Sequence, residues 1–188
     1  MLITRFDNTD VEKYIVNFER KYNIEIPCQY REFLLAYNGG ETLKTDFRSK
    51  KISSDINGFY GLGFADADLN YSFFEETGTL INYLKDNMLP IGSNVFGDHI
   101  LIGIDGDNLG KIYFYYHDRP TKYIELAEDF KVFVAKCKSE KLGHIMTIEE
   151  RAKLATEKGH KEKIPKLIPH WQAEIDRFSN VVQEELIL

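Results

Sequence analysis

Basic side chains are nearly missing from the middle of this chain. Between residues 52 and 110, Lys85 alone opposes nine carboxylates: Asp55, Asp66, Asp68, Glu75, Glu76, Asp86, Asp98, Asp105 and Asp107. Such a stretch repels a polynucleotide, whose backbone is itself a dense line of negative charge, and attracts a basic protein. An excess of acids also serves as ordinary solvated surface, and composition does not separate the two readings. Cysteine is scarce as well. Cys28 and Cys137 form neither a disulfide framework nor a Cys-x-x-Cys pair. Both fall on apparent helices among apolar neighbours, so buried free thiols in a reducing compartment are expected. No window approaches the roughly 18 apolar residues of a membrane span, and residues 1–7 lack the apolar segment of a secretory leader. The expectation is a cytoplasmic protein with no membrane or nucleic-acid partner.

Catalytic punctuation is absent too. Gly58, Gly61 and Gly63 are followed by no Gly-Lys-Ser/Thr and make no phosphate loop, so bulges or close packing account for them. Asp105-Gly106-Asp107-Asn108-Leu109-Gly110 opens like a calcium loop. Leu109 and Tyr116 then occupy the fifth and twelfth positions, where an EF-hand needs oxygen ligands, and a hairpin turn is the simpler reading. His99, His117, His144, His160 and His170 show no metal-ligand spacing. His99 and His117, near Asp98 and Asp118, suit strand ends or hydrogen bonding to a partner better than a metal site. Ser53, Ser72 and Ser93 lack a nucleophile elbow, and the adjacent acids Glu75-Glu76 read as solvated rather than as a glycosidase pair. No catalytic, cofactor-binding or metal residue is assigned.

What is present is a well-punctuated pattern of helices and strands. In the run Ile24-Glu25-Ile26-Pro27-Cys28-Gln29-Tyr30-Arg31-Glu32-Phe33-Leu34-Leu35-Ala36-Tyr37-Asn38-Gly39-Gly40, Pro27 suits a first helical position. Tyr30, Phe33, Leu34 and Tyr37 form one apolar stripe, and Asn38-Gly39-Gly40 supplies a left-handed C-cap. Thr9-Asp10-Val11-Glu12 reads as a capping box for an earlier helix carrying Val11, Tyr14, Ile15, Phe18 and Tyr22. Residues 43–55 are polar and aperiodic and read as loop. Residues 56–63 read as a short strand, 79–87 as a short helix and 88–92 as a strand with a tolerated proline. Residues 99–104 and 111–117 flank an Asp/Gly/Asn turn as a hairpin. Residues 123–126 add a strand, and 128–138 a helix with Phe130, Phe133, Val134 and Cys137 on one side. An α+β domain over residues 1–140 is predicted, followed by a helical C-terminal extension over 141–188. Within the extension, Thr147-Ile148-Glu149-Glu150 is a capping box, and Gly159 ends its helix. A basic connector follows with Lys158, His160, Lys161, Lys163 and Lys166. After Pro165 and Pro169, Trp171, Ile175, Phe178, Val182 and Leu186 make a regular apolar seam on a last helix.

The run over residues 24–40 resembles the N-terminal signature of the SUKH superfamily, the domain of the yeast Smi/Knr cell-wall assembly regulators. Phe59-Tyr60-Gly61-Leu62, Leu89-Pro90-Ile91-Gly92, Gly97-Asp98-His99-Ile100-Leu101-Ile102, Gly110-Lys111-Ile112-Tyr113-Phe114-Tyr115-Tyr116-His117-Asp118 and Asp129-Phe130-Lys131-Val132-Phe133-Val134 are similar to its later segments in order. Asp98 stands where asparagine is common and Tyr115-Tyr116 where tryptophan is common. The resemblance implies a single α+β domain with an N-terminal helical pair, a central antiparallel β-meander and a closing helix. It implies a binding domain without catalytic residues, and most bacterial members of the superfamily are immunity proteins. It does not reach residues 141–188.

The preferred expectation is therefore an immunity protein that neutralises a cognate toxin, a basic nuclease domain, through an acidic face. Asp66, Asp68, Tyr71, Glu75, Glu76, Asp98, Asp105 and Asp107 are its candidate contacts, since carboxylates pair with Arg or Lys and rings give buried area. Tyr71, Phe73 and Phe74 suit a core equally well. The alternative is a regulatory scaffold that binds partners or dimerises through Trp171, Ile175, Phe178, Val182 and Leu186, a seam that also suits packing on its own domain. An enzyme or small-molecule carrier is the least favoured class.

Overall fold

The computed structural model describes residues 1–119 and 123–188. In chain order its elements are β1 (Leu2–Arg5), α1 (Val11–Tyr22), α2 (Cys28–Tyr37), β2 (Gly40–Arg48), β3 (Ser53–Phe59), α3 (Ser72–Thr77), α4 (Leu80–Leu84) and β4 (Met88–Ser93). Then come β5 (His99–Gly103), β6 (Ile112–Tyr115), β7 (Ile124–Ala127), α5 (Phe130–Lys136), β8 (Cys137–Ser139), α6 (Ile148–Glu157), α7 (Ile164–Phe178) and β9 (Glu184–Glu185). The strands form one sheet in the order β7-β6-β5-β4-β3-β2-β1-β9, with β8 also on β2, and every named pair is antiparallel. The fold is α+β. Two compact units result: Met1–Glu140 with Glu184–Leu188, and Lys141–Gln183.

Helix α2 keeps its expected stripe and C-cap but starts one residue later than expected. Pro27 sits just outside it as the N-cap, and Tyr30, Phe33, Leu34 and Tyr37 are all buried. Asn38 ends it in the left-handed region with φ 52°. Its buried amide donates to Asp7 O (2.7 Å) and Leu62 O (2.8 Å) and accepts from Leu62 N (2.9 Å). The cap thus ties three chain segments together. At Gly61 a Cβ would lie 2.0 Å from Asn38 O, so only glycine lets the two backbones meet.

Several expectations are corrected. The proposed capping box at Thr9 does not form: α1 starts at Val11 after Asp10 in the left-handed region, and Asp7 instead accepts from Thr9 N at 2.8 Å. Residues 43–55 are not a loop, because β2 and β3 pair there as a hairpin. The buried positions of β2 include Thr42 and Thr45, whose hydroxyls bond Ile56 O (2.8 Å) and Ser139 Oγ (2.7 Å), so polar residues occupy the inward register. The closing helix stops at Lys136, and Cys137–Ser139 turn into β8. Cys137 is buried as expected, but Cys28 is exposed, since it lies off the stripe that α2 buries.

The last helix begins earlier than expected, at Ile164, and carries Pro165 in its first turn and Pro169 inside it. It ends at Phe178, so the seam of five residues is not one helix face. Val182 lies beyond it at 76% exposure, while Leu186 is buried in the core of the first unit. There β9 pairs with β1, and Ile187 N donates to Tyr37 Oη at 3.0 Å.

The main core lies on one face of the sheet. Phe47 of β2, Phe59 of β3 and Phe114 of β6 meet Phe33 of α2 and Phe130 and Phe133 of α5. Each such ring contributes about 2–3 kcal/mol of burial. Strands β3 and β4 share only two residue pairs before diverging. Where they part, Tyr71 Oη donates to Pro90 O (2.6 Å) and Tyr30 Oη to Tyr60 O (3.0 Å). Two buried hydroxyls thereby satisfy carbonyls that a continuous ladder would have paired.

Candidate functional site

Side chains alternate along β4–β7, and the set that avoids the main core is rich in tyrosine. The register places Leu101 opposite Tyr113, Tyr113 opposite Glu125, and His99 opposite Tyr115. Met88, Leu101 and Tyr113 form a second small apolar cluster, with half-buried Tyr83, Tyr115 and Tyr123 packed against it. The Tyr115 ring lies 5.8 Å from Tyr83 and 5.6 Å from Tyr123. Tyr123 is also 6.4 Å from Tyr113.

Each platform hydroxyl with a recorded partner is anchored at its edge. Tyr113 Oη donates to Asn108 Oδ1 at 2.8 Å, and Tyr123 Oη donates to the carboxylate of Asp86. Burial, reinforced by the Asp86 charge, pushes the Tyr123 hydroxyl well above its ordinary value. Burial pushes Tyr83 up to about 12, with Tyr115 adding to the effect. Both remain neutral donors at physiological pH. His99, under Tyr60, Phe74 and Tyr83, is lowered to about 4 by burial and stays uncharged, with Nδ1 paired to Tyr60 Oη at 3.1 Å. The result is a ring platform bordered by Asp86 and Glu125, with apolar area and hydroxyls at one surface. Such surfaces suit protein contacts.

The sequence-predicted acids lie in separate segments of the fold. Asp66, Asp68, Glu75 and Glu76 are exposed along one segment, where Asp66 caps a short turn and Glu75 pairs with Lys21 at 2.9 Å. Asp105 and Asp107 lie in the β5–β6 turn, whereas Asp98 lies at the opposite end of β5, about 13 Å of strand away. Asp105 borders a groove of about 500 Å³ in which Glu25, Glu128 and Asp129 surround Ile26, Ile102 and Phe130. Tyr71 is fully buried and offers no contact area; Phe73, two residues on, is half exposed.

Asp98 is also withdrawn from solvent, as the lock of the β4–β5 turn. Its Oδ1 accepts from His117 N (3.1 Å) and Nδ1 (2.8 Å), and Oδ2 accepts from Asn94 Nδ2 (3.0 Å). Burial pulls this carboxyl upward, but the bonds from His117 and Asn94 outweigh it and hold it below the ordinary value. Among the described residues, Asp98, His117 and Asp118 form the one group with three possible metal ligands in reach of one another. Both oxygens of Asp98 are already occupied by donors, so the group reads as a turn lock. At the tip it holds, Val95 and Phe96 are 67% and 72% exposed. Sequence reading missed the platform because it depends on strand register; the alternation Tyr113, Tyr115 was its only linear trace.

A family model, that of the SMI1/KNR4 family (SUKH-1), matches residues 12–136. That range spans α1 to α5, and so contains the platform, the Asp98 lock and the Asn38 cap. A comparison with curated proteins returned no match. No helix among the described residues is long and apolar enough to cross a membrane.

Proposed function

The chain belongs to the SMI1/KNR4 family (SUKH-1), and from that premise we propose that it is a non-enzymatic immunity protein that binds and neutralises a cognate toxin. The toxin in this reading is a basic nuclease domain, met in the cytoplasm. The tyrosine platform of β4–β7 carries the reading. Rings on a rigid sheet supply contact area at low entropic cost, and Asp86 and Glu125 at its border favour lysine and arginine. The exposed acids Asp66, Asp68, Glu75 and Glu76 act at longer range by steering a basic partner, which raises association rate more than affinity.

The test is calorimetric titration against the C-terminal domain encoded by the gene beside this one in its source genome. Tight one-to-one binding that abolishes a nuclease activity is the expected result. Absence of binding sinks the reading and turns weight to a regulatory scaffold.

A further inference from the structure

The unit Lys141–Gln183 has no core of its own. None of its residues is buried, although α7 carries Ile164, Leu167, Ile168, Trp171, Ile175 and Phe178 at helical spacing. A stripe of this kind ordinarily faces a packed interior. The two helices are nevertheless fixed to each other. Arg151 of α6 grips Glu174 of α7 with two bonds of 2.9 Å and donates from Nε to Met146 O at 3.0 Å. Thr147 and Glu150 close a complete capping box at the start of α6. Between the helices lies a cleft of about 430 Å³ walled by Met146, Leu154, Ala155, Leu167 and Trp171. Leu154 is 39% exposed within it.

We infer that this cleft is a second docking site, whose occupant is an acidic amphipathic helix of a partner protein. Its apolar residues would lie on Leu154, Leu167 and Trp171, in the manner of helix-in-groove recognition. The charge at the rim selects the occupant. Lys158, His160 and Lys163 line the cleft, and among the described residues Lys158 and Lys163 form no recorded ion pair, Arg151 being held by Glu174. A second copy is a poor occupant. A two-fold pairing sets the same patch against itself and brings these cations face to face.

Trp171 is the sole tryptophan of the chain, so its emission reports occupancy directly. The probe is a synthetic helical peptide with leucine at i, i+4, i+7 and i+11 and glutamate elsewhere on its flanks, titrated into the full chain. Saturable one-to-one binding with a blue shift of Trp171 emission is expected. Leu154→Asp and the pair Lys158→Glu with Lys163→Glu should each weaken it about tenfold. Leu154 is exposed enough for its replacement to leave the fold intact, which circular dichroism checks. The proposal is overturned by unchanged emission, or by equal binding of the same peptide with lysine for glutamate. It is equally overturned if anionic phosphatidylglycerol vesicles, not the peptide, shift the emission, or if the shift follows dimerisation of the chain in sedimentation.

Discussion

The two faces of the sheet carry the same class of side chain in two forms. On the helix-covered face the rings from the sheet are phenylalanines, Phe47, Phe59 and Phe114, all at 2% exposure or less. On the other face of β4–β7 they are tyrosines, and Tyr115 and Tyr123 remain half-buried. One oxygen atom separates the two sets. In the core a hydroxyl is kept only where a buried carbonyl needs a donor, as at Tyr30 and Tyr71, whereas a ring left half in water keeps a polar end for solvent. On the proposed reading the open face serves as an interface, while the covered face is the core.

The sharpest way to break that comparison is truncation on the covered face. Phe130→Ala removes a ring packed on Tyr30, Phe33 and Phe59, and should cost about 3–5 kcal/mol in urea unfolding. Tyr115→Ala should cost less than about 1 kcal/mol of stability by the same measurement, since the ring is already half in water. Equal losses would mean that the open face is core as well.

His99 gives a pH test of how far the platform shields what lies beneath it. An unfolded imidazole takes up a proton near 6.5, and the folded one only at about 4. Between those values the unfolded chain binds more protons, so stability falls as pH drops through that window. The loss should approach about 3 kcal/mol by pH 4 at about 1.4 kcal/mol per unit. Urea melts at pH 7 and pH 4.5 check this, with His99→Gln expected to remove most of the difference.

A smaller effect separates buried hydroxyls from platform hydroxyls. Tyr71→Phe leaves Pro90 O without its donor in the interior and should cost about 1–3 kcal/mol in thermal unfolding. Tyr113→Phe, whose partner Asn108 is half-exposed, should cost less than about 1 kcal/mol. The last effect is kinetic and belongs to the distant acids. Converting Asp66, Asp68, Glu75 and Glu76 to lysine should slow association with the proposed toxin about tenfold at low salt in stopped-flow mixing and barely change dissociation.

How legible this was in the sequence depended on whether local and tertiary signals agreed. Helix α2 was legible because proline, stripe and Asn38-Gly39-Gly40 all point the same way, and the hairpin β5–β6 because its turn residues and β-rich limbs coincide. The hairpin β2–β3 was hidden, because Thr42 and Thr45 stand at inward positions where periodicity looks for apolar residues. Tyr71 was drawn toward the surface by its acidic neighbours, although its hydroxyl serves a carbonyl exposed by the divergence of β3 from β4. Val182 and Leu186 continued the spacing of Trp171, Ile175 and Phe178, yet helix α7 stops at Phe178 and Leu186 joins the first core. The platform itself needed register, which no single segment encodes.

The most direct measurement is a calorimetric titration of the proposed toxin domain with the Tyr115→Ala, Tyr123→Ala double variant beside the wild type. Truncating both rings of the proposed interface should cost about 2 kcal/mol or more each, so affinity should fall by about a thousandfold or more with an unchanged fold. Wild-type affinity in the double variant would contradict it and place the contact elsewhere on the molecule.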